Sequence, residues 1–440
     1  ETCLPCSPGQ ISFYQIHTVV RYEKEIIMTD SKLFTKDFTL VVLGQIISLF
    51  GNAAIRFALP LYLLNQTGSS ALYGAVTACA FLPPVFLSPM GGMIADRVNK
   101  RNVMVALDFL TAALILTFSL LMDTLSLVPL LTVTLMLLYG IAGAYQPSVQ
   151  ASIPALVCPE QTMAANSVIN TISSFSSLTG PVLGGLLYSA WGLRPVLWVC
   201  MVCFFLSAVM ELFIHIPFLR QPSDGGILKT VRSDLSESIC FLRKEQPVIG
   251  KGMFVVCGIN LFLSAMILVA MPWLVTEVLN LEAGLANRLY GFAQGALAAG
   301  GLTGGILAGV FAQRLDIRKS ARILTACALC VFPIGIVLFL SDSGILNYLV
   351  LTVCCFLIMV FSTIFAVQMM SFIQTRTPQQ LTGKVISVVL TISMCAQPLG
   401  NALYGVLFEA GRGYEYAVVL FSGTVSLVIA WNAGKVFRYI

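Results

Sequence analysis

From Asp37 to the C-terminus the chain is a succession of apolar runs separated by short polar breaks, each run about 20 residues or longer. A run of that length crosses the hydrocarbon core of a bilayer as a helix, because a helix pairs its own backbone N–H and C=O groups where no water can. Twelve such runs are drawn here, over 37–64, 72–95, 102–122, 127–149, 164–190, 194–217, 251–277, 288–312, 320–341, 346–371, 384–408 and 415–434. With 58% hydrophobic residues among 440, the chain holds more apolar surface than a soluble core needs. The expected fold class is an all-α polytopic membrane protein.

Lys and Arg orient such a chain, because they are retained in cytoplasmic loops. With the N-terminus inside, 21 of the 25 fall in cytoplasmic segments; Arg194, Arg288 and Arg412 fall outside, and Arg56 lies within the first run. Both termini are therefore expected in the cytoplasm, and the net charge of +5 reads as a topology signal rather than a nucleic-acid surface. The division is an N-terminal segment (1–36), a six-helix bundle (37–217), a cytoplasmic linker (218–250) and a second bundle with a short tail (251–440). Residues 1–27 lack the apolar core of a signal peptide, and a natural start is expected at Met28. Cys3-x-x-Cys6 has no second pair or nearby His to complete four ligands, so no metal site is expected; the other cysteines are scattered on apolar helices as small hydrophobes. In the linker, Val231, Leu235, Ile239 and Leu242 recur at helical spacing, as in an amphipathic helix on the interface; a plain tether is the alternative.

The stretch "GGMIADRVNKR" packs Asp96, Arg97, Lys100 and Arg101 between runs 2 and 3. It recurs 217 residues later as "GVFAQRLDIRK", where Gly92, Ala95, Arg97 and Arg101 match Gly309, Ala312, Arg314 and Arg318. "GPVLGGLLY" from Gly180 likewise resembles "QPLGNALY" from Gln397, with Pro181 opposite Pro398. The chain thus reads as two similar six-helix halves, the plan of secondary transporters that place the substrate between repeats and rock one against the other.

On these residues the chain resembles the major facilitator superfamily, whose signature loop is matched by Gly92-x-Ile94-Ala95-Asp96-Arg97-x-Asn99-Lys100-Arg101. Asn99 stands where a second glycine is usual, and is expected to replace it in a left-handed turn. The resemblance implies that Asp96 and its cations clamp the cytoplasmic ends of the halves, with Asp96 near the N-terminus of helix 11. The second copy has Gln313 in place of Asp, which implies a weaker clamp. Gly180-Pro181-x-x-Gly184-Gly185 in helix 5 resembles a signature associated with exporters that exchange substrate for protons; ordinary small-residue packing, as along Gly301, Gly305 and Gly309, is the alternative. "FALPLYLLNQTGSS", "ASIPALVCPEQ" and "FLRKEQPVIGKG" place the resemblance nearest the branch of macrolide-efflux proteins and siderophore exporters.

No Gly-x-x-x-x-Gly-Lys-Ser/Thr is present, so no nucleotide or other cofactor is expected and a proton gradient is the expected energy source. Ionisable residues inside a membrane are costly and mark function, which singles out Asp108, Glu211 and Arg56 as candidates for coupling. The Arg that many drug antiporters of the superfamily carry in helix 4, four residues before a Gly, is Tyr139 here, ahead of Gly143. Arg56 could substitute for it, bind an anionic substrate, or snorkel outward. His215 reads as interfacial. Helices 1, 4, 7 and 10 are expected to line a cavity with Phe57, Tyr62, Tyr139, Tyr145, Gln146, Asn260, Trp273 and Gln368, and Trp273 could equally be an interfacial anchor.

The resulting expectation is a monomeric, proton-linked exporter in the plasma membrane, moving an amphipathic drug-like compound such as a macrolide. Uptake of a metabolite or siderophore transport is the alternative within transport, and a non-transporting receptor on the same scaffold is the alternative outside it. Two His and no paired carboxylates on one helix argue against an enzyme. The clamp makes a direct prediction: Asp96→Ala cripples transport and leaves membrane insertion intact, and wild-type flux in that variant would remove the clamp.

Overall fold

The computed structural model describes residues 33–97, 99–158, 161–216, 237–311 and 317–437, and among these it is helical throughout. The first half comprises α1 (Lys36–Thr67), α2 (Ser70–Arg97), α3 (Lys100–Leu121), α4 (Leu127–Leu156), α5 (Thr162–Trp191) and α6 (Leu193–Glu211). The second comprises α7 (Pro247–Val278), α8 (Ala283–Val310), α9 (Ile317–Leu340), α10 (Gly344–Arg376), α11 (Gln379–Ala410) and α12 (Glu415–Phe437). Among the described residues, ten of these helices are long and apolar enough to cross a membrane by themselves. α2 is apolar over Ser70–Val85, and α5, which with α2 forms the first half's side of the seams, carries the most hydroxyl side chains. Leu120, Phe254, Val310 and Leu340 are 68–74% exposed, which water would not tolerate over so wide a belt and lipid requires.

Local chemistry explains the breaks. Thr35 caps α1 by accepting from the Phe38 N–H at 3.2 Å, and α1 ends on Gly68, whose left-handed φ of 56° suits only glycine well. Asn99 departs from its expected role: at φ −59° it is not left-handed, and it caps α3 by accepting from the Arg101 N–H at 3.1 Å. Arg101 donates to the Leu212 carbonyl just past α6, so this cation joins two helices of the first half at a helix C-terminus. The surroundings of Gly92 and the side chains of Asp96 and Arg97 lie outside what is described, as do Arg314 and the N-terminal cysteines. Of the linker, 237–244 is described as helix and 247–250 opens α7; Phe241 and Leu242 are buried, and Glu237 pairs with Lys384 of α11 at 2.8 Å. α7 is an α-helix with two π turns, Asn260–Ser264 and Leu274–Val278.

The repeat seen in the sequence governs the packing. Within the first half α1 packs on α5 and α6, α2 on α4, and α3 on α4 and α6; the second half repeats every one of these pairs six helices later. The halves meet along two seams, α2 with α11 and α5 with α8, which the repeat interchanges. At each seam the backbones nearly touch through glycine. A Cβ on Gly74 would lie 2.4 Å from the Asn401 carbonyl and 2.7 Å from Gly405, and one on Gly185 would lie 3.1 Å from Gly291. Gly305 and Gly309, by contrast, face open space, and Gly301 and Gly304 pack on α10.

Both chain ends of the bundle, Lys36 and Phe437, lie at one end; the other is called here the far end. At the far end Glu409 of α11 accepts from Ser69 Oγ (3.0 Å), Ser70 Oγ (3.4 Å) and the Ala71 N–H (3.4 Å), so its carboxylate sits on the N-terminus of α2. Arg412 pairs with Glu409 at 2.9 Å, donates to the Gly68 carbonyl, and lies 5.0 Å over the Trp273 ring. Trp273 is only 3% exposed, so it belongs to this latch and not to the lipid interface. Across the other seam Asn65 donates to Asn287 Oδ1 at 3.0 Å, and Ser189 Oγ donates to the Gly284 carbonyl at 2.7 Å. Replacing Glu409 with Ala is expected to loosen the far end: a cysteine at Thr77, which lines the cavity, should label faster with an impermeant maleimide from that side than in the Glu409 protein, and equal rates would deny Glu409 a latching role.

Candidate functional site

Two polar sites occupy the first half, one open and one closed. The open one is a cavity of about 560 Å³, walled largely by α1, α2, α4 and α5. On α1, Asn52, Arg56, Phe57 and Pro60 follow one another at helical spacing on a single face; on α4 the same holds for Tyr139, Ala142, Gln146 and Gln150, and on α5 for Ser173, Ser176, Ser177 and Pro181. The second half closes the far side with Leu268, Tyr290 and Gln294, and the Tyr290 ring stacks on Phe57 at 4.8 Å. The glycines of the helix 5 signature hold α5 against its neighbours here. Gly180 abuts Ala53, Gly184 abuts Ala54, and Gly185 reaches Gly291 across the seam, while Pro181 lines the cavity within α5.

Arg56 projects into this cavity with its guanidinium 3.5 Å from the centre of the Tyr139 ring, which also meets Phe81 edge-on at 5.2 Å. It pairs with no described carboxylate, and its buried Nε has no partner among the described residues. The residue that replaces the helix 4 arginine thus touches Arg56 directly.

The closed site lies nearer the chain ends, where α1, α3, α4 and α6 converge. Gln45 Nε2 donates to Tyr145 Oη at 2.6 Å, and Tyr145 Oη donates to Glu211 Oε1 at 2.7 Å. Ser48 Oγ donates to Asp108 Oδ1 at 3.2 Å, and Ser207 Oγ donates to the Gly44 carbonyl at 3.1 Å, next to Glu211. None of these six polar side chains is more than 5% exposed, Asp108 and Glu211 being 2% and 1%. Phe38, Met104, Val149 and Ile214 lie on the chain-end side of the cluster. Asp108 Oδ2, Glu211 Oε2 and Gln45 Oε1 are buried without a donor among the described residues, and no described Lys or Arg is paired with either acid. Burying an unpaired carboxylate costs several kcal/mol, which makes the cluster an unusual outlay for a structural element.

The structure therefore brings Asp108 and Glu211 together and leaves Arg56 with the cavity. Phe57, Tyr139 and Gln146 line the cavity as expected. Tyr145 does not: it is the next residue to Gln146, turned about 100° away on the helix, and serves the acids instead. Asn260 donates to the Ser393 carbonyl at 2.9 Å in the first π turn of α7, and Gln368 is 5% exposed in α10; neither lines the cavity. His215 is exposed beyond α6, its N–H bound to Asp37, clear of both sites. Sequence reasoning missed the α2 wall (Tyr73, Thr77), the α5 serines and Gln294; the 3.6-residue spacing of the serines was a signal available for them.

A family model described as Major Facilitator Superfamily matches residues 41–401. Macrolide efflux protein A of Streptococcus pyogenes is 24% identical over 403 residues, covering 89% of this chain and 94% of that protein. Multidrug efflux pump Tap of Mycobacterium tuberculosis is 22% identical over 380 residues, covering 84% and 87%. Among solved structures, nucleoside transporter NupG has a TM-score of 0.75 at 10% identity, over 92% of this chain and all of that one (100%). A bacterial homologue of the human lysosomal transporter Spinster, inward-facing, has a TM-score of 0.68 at 14% identity, over 92% and 99%. These last two speak to the fold alone.

Removing the Tyr145 hydroxyl strands Gln45 and Glu211. Tyr145→Phe is expected to lower stability by about 1–3 kcal/mol, read as a fall in melting temperature in detergent, while Gln146→Ala on the cavity wall leaves it unchanged; equal melting of both would deny the cluster a structural share. With two six-helix halves, seams at α2–α11 and α5–α8, and a family model matched along most of its length, the chain is a multi-pass membrane transporter of the major facilitator superfamily.

Proposed function

We propose that the protein is a proton-coupled exporter of the plasma membrane, working by alternating access, with Asp108 and Glu211 as the proton-carrying pair. The carrying observation is the closed site: two carboxyl groups without a cation, buried in the half that supplies most of the cargo cavity. The two sites adjoin through consecutive residues, Ser48 and Leu49 on α1 and Tyr145 and Gln146 on α4, so a change in cavity shape is transmitted to the acids by two rigid helices. While enclosed, the pair is most cheaply held with protons bound; solvation on opening lets them leave. Transfer of those protons inward, down their gradient, returns the carrier for another outward load.

In this reading both termini face the cytoplasm and the far end faces outward, as the Lys and Arg distribution supports. The latched far end then makes the described arrangement one that receives cargo from inside, which suits export. The cargo is a bulky amphipathic compound, consistent with a cavity that mixes aromatic rings and neutral polar groups. The relatives named above include a macrolide efflux protein, so a macrolide belongs among the compounds tested.

The test is accumulation of labelled erythromycin and of a panel of amphipathic dyes in cells with and without the protein, before and after collapse of the proton gradient. Lower accumulation that recovers on collapse is expected for at least one compound, and Asp108→Asn with Glu211→Gln should abolish it with insertion unchanged. Efflux that survives in the double variant would dismiss the pair as the proton carrier.

A further inference from the structure

The charge inventory of the cavity is lopsided. No Asp or Glu lines it among the described residues, and Arg56 is the single formal charge on its wall. The buried acids of the first half, Asp108 and Glu211, are committed to the closed site through Ser48 and Tyr145. Arg56 makes no ion pair with a described carboxylate, and its Nε is buried without a partner. What holds it is the Tyr139 face, 3.5 Å from the guanidinium carbon. That contact engages the face of the group, whereas its N–H edges are the part that recognises carboxylate or phosphate in bidentate fashion.

A guanidinium kept in a partly closed cavity without a counter-charge is costly, and an anionic ligand removes the cost on arrival. Asn52, one turn before Arg56 on the same face of α1, and Gln146 on α4 add neutral donors beside it. Leu268, Phe57 and Tyr290 add apolar and aromatic surface to the same cavity, the two rings stacked at 4.8 Å. The wall therefore offers one cation to a negative group and rings to a hydrophobic body. A protonated amine, such as that of an erythromycin-type macrolide, would meet an uncompensated positive charge and find no acid on the wall.

We propose that the cargo is an amphipathic organic anion, and that Arg56 pairs with its acidic group. The inference rests on reading this cavity as the cargo site; it does not depend on the direction of transport or on the proton carrier.

The experiment is equilibrium binding to the purified full chain in detergent, by intrinsic fluorescence, of three probes that share a steroid body and differ in charge: cholate, its neutral primary amide, and a cationic analogue with an amine in place of the carboxylate. Cholate is expected to bind at least tenfold more tightly than the other two. Arg56→Gln should weaken cholate roughly ten- to a hundredfold and leave the amide unchanged, while Arg56→Lys, which keeps the charge and loses the fork, should restore part of the preference. Equal or tighter binding of the amide or the cation, cholate binding indifferent to Arg56→Gln, or no cholate binding by a protein that melts cooperatively would each overturn the proposal. Binding that follows Arg56 in a protein showing no proton-driven efflux of any anion would instead remove the exporter reading and leave this one standing.

Discussion

The structure depends on close backbone approach at two glycine contacts. In a bilayer helices gain little from hiding apolar side chains, since lipid is as apolar as leucine, and association relies on dispersion and short polar contacts between backbones that can come near. Gly74 and Gly291 are equivalent under the 217-residue repeat, and each meets a glycine of the opposite half, Gly405 or Gly185. A side chain at any of the four would hold the halves apart. Because the backbones touch there, Glu409 reaches the N-terminus of α2 and Asn65 reaches Asn287, so the far-end hydrogen bonds follow from the small residues.

The same closeness shapes the cavity. With α2 against α11 and α5 against α8 at the far end, α1 and α4 are left to form the wall between them, and their faces decide what the space contains. Each of these two helices serves both sites. α1 gives Gln45 and Ser48 to the acids and, a turn later, Asn52 and Arg56 to the cavity; α4 gives Tyr145 to the acids and Gln146 to the cavity. Neighbouring positions on a helix point about 100° apart, so one helix can hold a charged cavity group and a buried acid's partner without either seeing the other.

Much of this was legible in the sequence. The twelve runs, the repeat and its signature loop are one-dimensional signals, and helix limits such as 127 for α4 and 320–340 for the body of α9 follow from where apolar residues stop. α6 ends at Glu211, short of the expected 217, where the chain turns through hydrogen bonds from the Phe213 N–H to the Met210 carbonyl and from the Ile214 N–H to the Glu211 carbonyl. What could not be read was pairing. Asp108 and Glu211 are 103 residues apart, and nothing local tells that Tyr145 bridges towards one of them; as separate intramembrane acids they looked like alternatives, and the packing of α3 on α6 makes them a single cluster. Glu409 was invisible for the opposite reason. It stands next to a loop, where an acid is ordinary, and only its seat on another helix's N-terminus gives it a role.

The cavity's asymmetry has a consequence for how specificity can change. Apart from Tyr290 and Gln294, every polar group on its wall belongs to the first half, and so do both buried acids. The second half contributes Leu268, Tyr290 and Gln294 to the wall and Glu409 to the far-end latch. The two repeats are therefore unequal: among the described residues, the first copy holds most of the polar side chains of both sites. Substitutions that broaden or narrow what is carried should therefore accumulate between Lys36 and Glu211, and the second half is free to drift so long as its seam glycines and Glu409 persist.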